Sequence, residues 1–138
     1  MTDGVSVRVS EGATVIVAEP GEPETQEERA GLLVDRLFEI VEGLNRSVAA
    51  KDTRTVVDVR IADGLSDAAR VNVAAFVAAI KGTIQALTLE LPVGAPNVNL
   101  LVSGSGQDGD RERTTRYLLS EDGGYSAGTA YDLRGPRA

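Results

Sequence analysis

Two side-chain types that often perform acid–base or nucleophilic chemistry are missing from this chain. Its 138 residues include no histidine and no cysteine. Imidazole catalysis, thiol nucleophiles, disulfides and Cys/His zinc sites are therefore excluded. A magnesium or calcium site made only of carboxylates would need acidic residues alternating along a loop, and no segment has that spacing. We predict no metal site.

One charged cluster remains, formed by Asp58, Arg60 and Asp63 near the end of a predicted strand. An ion pair or a helix cap is the simpler interpretation of this cluster, and catalysis is the alternative. The glycine-rich segment 103–106 could be read as a phosphate-binding loop, but no lysine follows it as such a loop requires. We predict a turn there.

The composition limits the class of partner. The net charge is −7 and the pI is near 4.6, and no basic stripe with interleaved aromatics is present. An anionic chain of this kind repels nucleic acid. The first twelve residues lack the basic start and apolar core of a signal peptide. The longest apolar run, 71–80, is too short to span a bilayer. We expect one soluble, cytoplasmic domain over residues 1–138, with no membrane partner.

Hydrophobic periodicity predicts alternating strands and helices. Segments 5–9 and 13–18 read as strands paired in a hairpin, and the acidic segment 19–28 reads as a solvated loop. The remaining elements are a helix over 26–50, a strand over 56–61, a helix over 67–91 capped by Ser66 or Asp67, a strand over 97–102, a helix over 111–120, a turn at 121–124 and a last strand over 129–133. This order predicts an α/β fold with a mostly parallel sheet flanked by helices.

The helix over 67–91 has almost no polar face in its first half. Such a helix is buried on both sides. The sheet can cover one side, and a chain of this size has too little material for the other. We therefore predict that this helix also contributes a self-association surface.

Four stretches, in order along the chain, resemble the C-terminal half of a short-chain dehydrogenase/reductase. TIQALTLEL (83–91) is similar to the end of a family helix, and NVNLLVSG (97–104) resembles the family's RVNxVxPG strand and turn. YLLSEDGGYSAG (117–128) resembles FLxSDxAxYxTG, and YDLRG (131–135) is similar to the closing xVDGG. With VVDVRI (56–61) matching an IVNxSS strand, the resemblance covers residues 32–135. It implies a shortened Rossmann-like fold and packing roles for Tyr117 and Tyr125. The third tyrosine of the chain, Tyr131, is given no role by the resemblance.

The same resemblance implies that the catalytic residues are gone. The family's serine position falls on Ile61, its tyrosine on Val73, its lysine on Val77, and its asparagine near Leu33. The family tyrosine depends on its neighbouring lysine for a lowered pKa. No side chain at these four positions can exchange a proton, so the catalytic set implied by the resemblance is empty.

The cofactor site implied by the resemblance is equally bare. A Rossmann fingerprint places several glycines after the first strand, where the backbone approaches pyrophosphate. Here Ser10-Glu11-Gly12 offers one glycine and a carboxylate. The segment SEGATVIVAE (10–19) resembles the family's second strand and could equally be its fourth. We predict no cofactor, with NAD(P) as the alternative.

These observations imply a catalytically silent relative that acts as an oligomerising, scaffolding or regulatory subunit. In the family, the helices that correspond to 26–50 and 67–91 form a dimer interface. The partner is therefore expected to be a second copy, in a dimer or tetramer, or a related full-length dehydrogenase. The alternative is an atypical NAD(P)-dependent oxidoreductase with a shortened or partner-completed site. The predicted interface residues are Phe38, Val41, Val73, Phe76, Val77, Ile80 and Ile84.

Overall fold

A computed structural model of the protein describes residues 5–10, 13–19, 26–50, 54–91 and 97–134. Residues 20–25 of the acidic segment 19–28 lie outside this part, and the loop predicted for them remains a prediction, whereas residues 26–28 are helical. The elements are β1 (Val5–Ser10), β2 (Ala13–Ala18), α1 (Gln26–Ala50), β3 (Arg54–Arg60), α2 (Asp67–Glu90), β4 (Val98–Ser103), α3 (Asp108–Leu119), a 3-10 helix (Asp122–Tyr125) and β5 (Ala130–Asp132).

The five strands form one sheet in the order β1-β2-β3-β4-β5. β1 and β2 pair antiparallel, with Val9 opposite Thr14, and this confirms the predicted hairpin. The pairs β2–β3, β3–β4 and β4–β5 are all parallel. The predicted α/β fold with a mostly parallel sheet flanked by helices is therefore the fold of this chain.

Helices α1 and α2 cover one face of the sheet. Alternate residues of a strand point to opposite faces, and on this face the strands present residues such as Ile16, Val57 and Leu100, which join one buried cluster with α1 and α2. Gly43 lets α1 approach β2, because a Cβ there would lie 3.1 Å from Ile16 Cδ1. The core of the protein sits between these two helices and the sheet.

Helix α3 lies on the opposite face. Its Leu118 packs with Val56 and Leu101, whose side chains point away from α1 and α2. From β2 to β5, each strand lies on the same side of the one before it. The connections through α1 and α2 cross one face of the sheet, and the connection through α3 crosses the other. The β4–α3–β5 connection therefore has the opposite hand to β2–α1–β3 and β3–α2–β4. Parallel crossovers are right-handed in about 98% of cases, so one crossover in this sheet departs from the usual hand.

Several predicted boundaries need correction. Of the two caps predicted for α2, Ser66 is the one observed, since its side chain accepts a hydrogen bond from Ala69 N at 3.1 Å.

β3 begins at Arg54 rather than at residue 56, because Arg54 and Thr55 already pair with β2. α3 begins at Asp108 rather than at residue 111. Asp108 and Asp110 look like turn residues in the sequence, yet they stand in the first helical turn, where acidic side chains complement the helix dipole. The turn predicted at 121–124 is a short 3-10 helix, and β5 is three residues long rather than five.

The length and composition of α2 match those of a membrane-spanning helix, and no other helix in the described ranges meets that test. The apolar run 71–80, too short by itself to span a bilayer, is the middle of this longer helix. In the fold, α2 connects two neighbouring parallel strands and lies against the sheet. Five of its side chains are buried there: Ala69, Val73, Phe76, Ile80 and Ile84.

Candidate ligand cleft and exposed helical face

An open cleft of about 660 Å³ lies at the carboxyl ends of β3, β4 and β5. It forms because the chain leaves β3 toward α2 on one face and leaves β4 toward α3 on the other. Neighbouring loops that diverge in this way open a crevice, and open α/β sheets bind ligands at such a point. Ile61 N donates to Ser103 O at 2.9 Å and holds the two loops together at the floor.

Polar side chains from three loops line this cleft. Gln107 joins two of them, because its Oε1 accepts a hydrogen bond from Gly104 N at 2.8 Å and its Nε2 donates to Leu133 O. Arg134 is held by Asp132 through Nε at 2.9 Å and a terminal nitrogen at 2.8 Å. Gly106 has a φ of +78°, so segment 103–106 makes a turn of a kind that favours glycine, in line with the predicted turn.

Two of the four positions implied by the resemblance meet in this cleft. Ile61 and Val73 both line it, although one follows β3 and the other lies in α2. Val77 is half-buried and packs against the main core. The side chain of Leu33 lies outside the described residues.

The cleft contains charged groups that can bind a ligand, and none of its lining residues is a histidine, lysine, tyrosine or cysteine. Its charged side chains are Asp63, Arg70, Asp132 and Arg134. Both arginines are paired with an aspartate of their own segment, Arg70 with Asp67 and Arg134 with Asp132. Across the described residues, no group of three carboxylates is placed to hold a metal ion.

The seven residues predicted for an interface fall into two groups. Val73, Phe76, Ile80 and Ile84 are buried in the chain's own core, so they do not form a free surface. The prediction placed them on the wrong side of α2, because an apolar helix has no polar face to orient it. Val41 and Val77 are half-buried, and Phe38 is exposed.

The free surface of α1 and α2 is apolar through other side chains. Val34 and Phe38, one turn apart on α1, are each 65% exposed, and Val71 on α2 is 69% exposed. Between Arg70 and Lys81, the exposed side chains of α2 are Val71, Ala74, Ala75 and Ala78, all of them uncharged. We call this surface of Val34, Phe38, Val71, Ala74, Ala75 and Ala78 the helical face.

The charged cluster seen in the sequence is divided between the α3 face of the sheet and the cleft at the carboxyl ends of its strands. Asp58 and Arg60 point toward α3 and form the expected ion pair, with 3.1 Å between Arg60 and Asp58 Oδ2. Asp63 instead lines the ligand cleft. Two arginines that the sequence did not suggest, Arg8 and Arg111, stand near Asp58. They lie far apart along the chain, so no local spacing could have revealed them.

The tyrosines only partly follow the predicted packing roles. Tyr117 is 49% exposed on α3, so packing does not account for it. Tyr131 packs beside Leu118, and its hydroxyl hydrogen-bonds Ser126 Oγ at 2.6 Å. The side chain of Tyr125 lies outside the described residues.

Comparison with known proteins leaves the chain without an assigned relative. No family model matches the sequence, and no curated protein matches it.

Proposed function

We propose that this chain is a catalytically silent relative of the short-chain dehydrogenases that works by associating with a second copy of itself through α1 and α2. One observation carries the proposal. The helical face exposes apolar side chains on two adjacent helices that already have a complete core beneath them.

The order of elements supports the resemblance and a shortened Rossmann-like fold. The stretches that suggested the family occupy the end of α2, β4 with its turn, the end of α3, and β5. β2 lies parallel to β3, and α1 joins them, which favours the fourth-strand placement for segment 10–19 over the second. The hairpin strand β1 then pairs antiparallel on the side of β2 away from β3.

The contents of the ligand cleft support catalytic silence. If the alignment of Ile61 with the family's serine and of Val73 with its tyrosine is right, the two side chains must lie at one cleft, and they do. Both are aliphatic. Membership of a family does not bring its chemistry when the site lacks the reacting groups.

Charge supports a second copy as the partner. Two identical chains of net charge −7 repel one another, and the repulsion is least where their contact surface carries no charge. The α2 part of the helical face is uncharged between Arg70 and Lys81, whereas on α1 the exposed carboxylates Asp35 and Glu39 adjoin Val34 and Phe38. Small side chains such as Ala74, Ala75 and Ala78 also allow two helices to approach closely. A contact of one face with itself gives a closed two-fold dimer.

The test compares two valines that are equally exposed on different surfaces. Val71 lies on the helical face and is 69% exposed, and Val9 lies on β1 and is 71% exposed. Light scattering after size exclusion should give twice the 14.5 kDa chain mass for the unmodified protein. Val71→Asp should give the mass of a single chain, because it buries an unpaired charge at the contact.

Val9→Asp is the matched control and should leave the dimer mass unchanged. A monomeric unmodified protein at high concentration would overturn the proposal, and so would a Val71→Asp variant that remains dimeric. Circular dichroism of each variant separates loss of association from loss of folding.

The volume of the ligand cleft favours a second candidate function, an atypical NAD(P)-dependent oxidoreductase. Sites for small molecules occupy about 300–1,000 Å³, and this cleft has about 660 Å³. A ligand that binds only the folded chain raises its melting temperature. A saturable rise with NADH or NADPH, reduced in Arg134→Gln, would favour this candidate, and no rise would reject it.

A further inference from the structure

A second cleft, of about 540 Å³, lies on the α3 side of the sheet between α3 and strands β1 to β3. Its lining carries four arginines and three carboxylates, and Glu19, outside the lining, pairs with Arg60 at 3.7 Å. The arginines are Arg8, Arg60, Arg111 and Arg116. This arginine cleft faces away from α1 and α2, so a ligand bound in it would not touch the surface proposed for association.

Asp58 at this cleft has one carboxylate oxygen that is satisfied and one that is not. Its side chain is only 2% exposed. Oδ2 accepts hydrogen bonds from Arg60 Nε at 3.2 Å and from a terminal nitrogen of Arg60 at 3.1 Å. Oδ1 is buried without a hydrogen-bond partner among the described residues. Buried polar atoms are nearly always satisfied, so an unpaired acceptor at a cleft needs a donor from elsewhere.

Arg111 does not supply that donor. Arg111 Nε lies 4.0 Å from Asp58 Oδ1, beyond hydrogen-bond distance. This nitrogen already donates to Ser103 Oγ at 2.8 Å, and another nitrogen of Arg111 donates to Asp108 at 2.9 Å. Arg111 is thus fixed beside the carboxylate without binding its free oxygen.

At least one arginine is available to a ligand. Arg8 is exposed on β1, and within the described part of the chain no carboxylate lies at salt-bridge distance from it. Within the ranges that the structure describes, Arg116 is paired only with Glu112, at 3.2 Å and with both side chains exposed. Exposed pairs of this kind contribute little, so Arg116 can turn to an incoming anion at small cost.

A ligand that satisfies both the arginines and Asp58 must have two properties. The arginines need an anion, and Asp58 Oδ1 needs a hydrogen-bond donor on that same anion. A hydrogen phosphate group has both, because its P–O⁻ oxygens accept from arginine while its P–O–H donates to a carboxylate. Sulfate has only acceptors near neutral pH, and its oxygens would face the lone pairs of Oδ1.

We propose that the arginine cleft is a binding site for a protonated phosphate group, either free hydrogen phosphate or a phosphomonoester. The arginines supply attraction, and Asp58 supplies selection for the protonated oxyanion. The cleft is larger than one phosphate ion, which leaves space for the organic part of an ester.

The test is calorimetric titration of the intact protein at pH 6 and constant ionic strength with inorganic phosphate, glycerol phosphate and sulfate. Saturable phosphate binding is expected, with sulfate weaker by about tenfold or more, because sulfate lacks the proton that would form a charge-assisted hydrogen bond with Asp58. Tighter binding of glycerol phosphate than of inorganic phosphate would identify the ester as the ligand, and the reverse would identify the free ion.

Two variants and one control keep the assignment falsifiable. Arg8→Gln changes an exposed side chain and should weaken phosphate binding severalfold without loss of folding. Asp58→Asn should abolish the preference for phosphate over sulfate if the variant folds. Arg46→Gln, at an exposed position of α1 that lines neither cleft, is the matched control and should bind phosphate as the unmodified chain does. Absence of saturable binding, equal binding of sulfate, or an equal effect of Arg8→Gln and Arg46→Gln would each overturn the proposal.

Discussion

Asn99 Oδ1, buried in β4, accepts a hydrogen bond at 3.1 Å from the backbone N–H of Thr129, which lies thirty residues further along the chain. The same side chain accepts from Ser126 Oγ at 3.1 Å and donates to Ser126 O at 2.9 Å. One asparagine thus fixes the segment that leads into the three-residue strand β5.

Asn99→Ala should therefore destabilise the fold strongly. It removes three hydrogen bonds made by a buried side chain, which at about 1 kcal/mol each corresponds to a loss of about 2–4 kcal/mol of unfolding free energy. Urea unfolding followed by circular dichroism measures the loss. Asn45→Ala, at an exposed position of α1, is the control and should change stability by less than about 0.5 kcal/mol. Equal effects of the two substitutions would contradict the role given to Asn99.

The orientation of α2 can be tested with two aliphatic residues of the same helix. Ile80 is fully buried against the sheet, and Leu89 is 85% exposed. Ile80→Ala should cost about 2–5 kcal/mol, because it removes buried methyl groups and leaves a cavity. Leu89→Ala should cost less than about 0.5 kcal/mol in urea unfolding. A large effect at Leu89 with a small one at Ile80 would mean that the helix presents the opposite side to the sheet.

Glycine at position 123 is required by close backbone contact. A Cβ at Gly123 would collide with Tyr117 O and lie 2.9 Å from Leu118 Cα, neither of which can move without displacing the end of α3. Gly123→Ala should therefore lower the melting temperature by several degrees, as expected for a loss of about 1–3 kcal/mol. Gly109→Ala, in the first turn of α3, meets only Arg113 at 3.5 Å and should be neutral or stabilising. A neutral Gly123→Ala would show that this contact is not tight.

Asp58 should give the stability a specific pH dependence. Burial raises the pKa of this carboxyl above its ordinary value of 3.8, and the charges of Arg60, Arg111 and Arg8 oppose that rise. The folded chain therefore holds the proton more tightly than the unfolded chain does. The stabilising contribution of Asp58 is complete below pH 3.8 and is lost as pH rises through the raised pKa.

The measurement compares the unmodified chain with Asp58→Asn by urea unfolding between about pH 3.5 and pH 8, a range that brackets the ordinary pKa of an aspartate. The stability advantage of the unmodified chain should shrink as pH rises and then level off. A difference that stays constant with pH, or one that grows, would contradict a raised pKa.

Local patterns in the sequence predicted the hairpin, the order of strands and helices, and the cap at Ser66 correctly, because each depends on neighbouring residues. The direction in which α2 faces could not be predicted, because Val71 and Val73 are equally apolar. Only the position of the sheet decides that Val73 is buried and Val71 exposed.

The two clefts could not be predicted from the spacing of nearby residues, for a different reason. Asp58 and Arg60 form a recognisable pair in the sequence because they stand two residues apart. Arg8 and Arg111 reach the same place only through the pairing of β1 with β2 and the position of α3. The ligand cleft likewise depends on α3 lying on the opposite face of the sheet from α1 and α2. No residue pattern in the sequence predicted that position.

The strand order β1-β2-β3-β4-β5 repeats the order of synthesis. Each of the strands β2 to β5 pairs with the strand that precedes it in the chain, and none has to be inserted between two strands that have already paired. A chain emerging from the ribosome can therefore extend the sheet from one edge only, and every partly synthesised form exposes a single growing edge. The loop that each pairing must close is one crossover long, so the parallel sheet avoids the most distant contacts that slow the folding of other parallel folds.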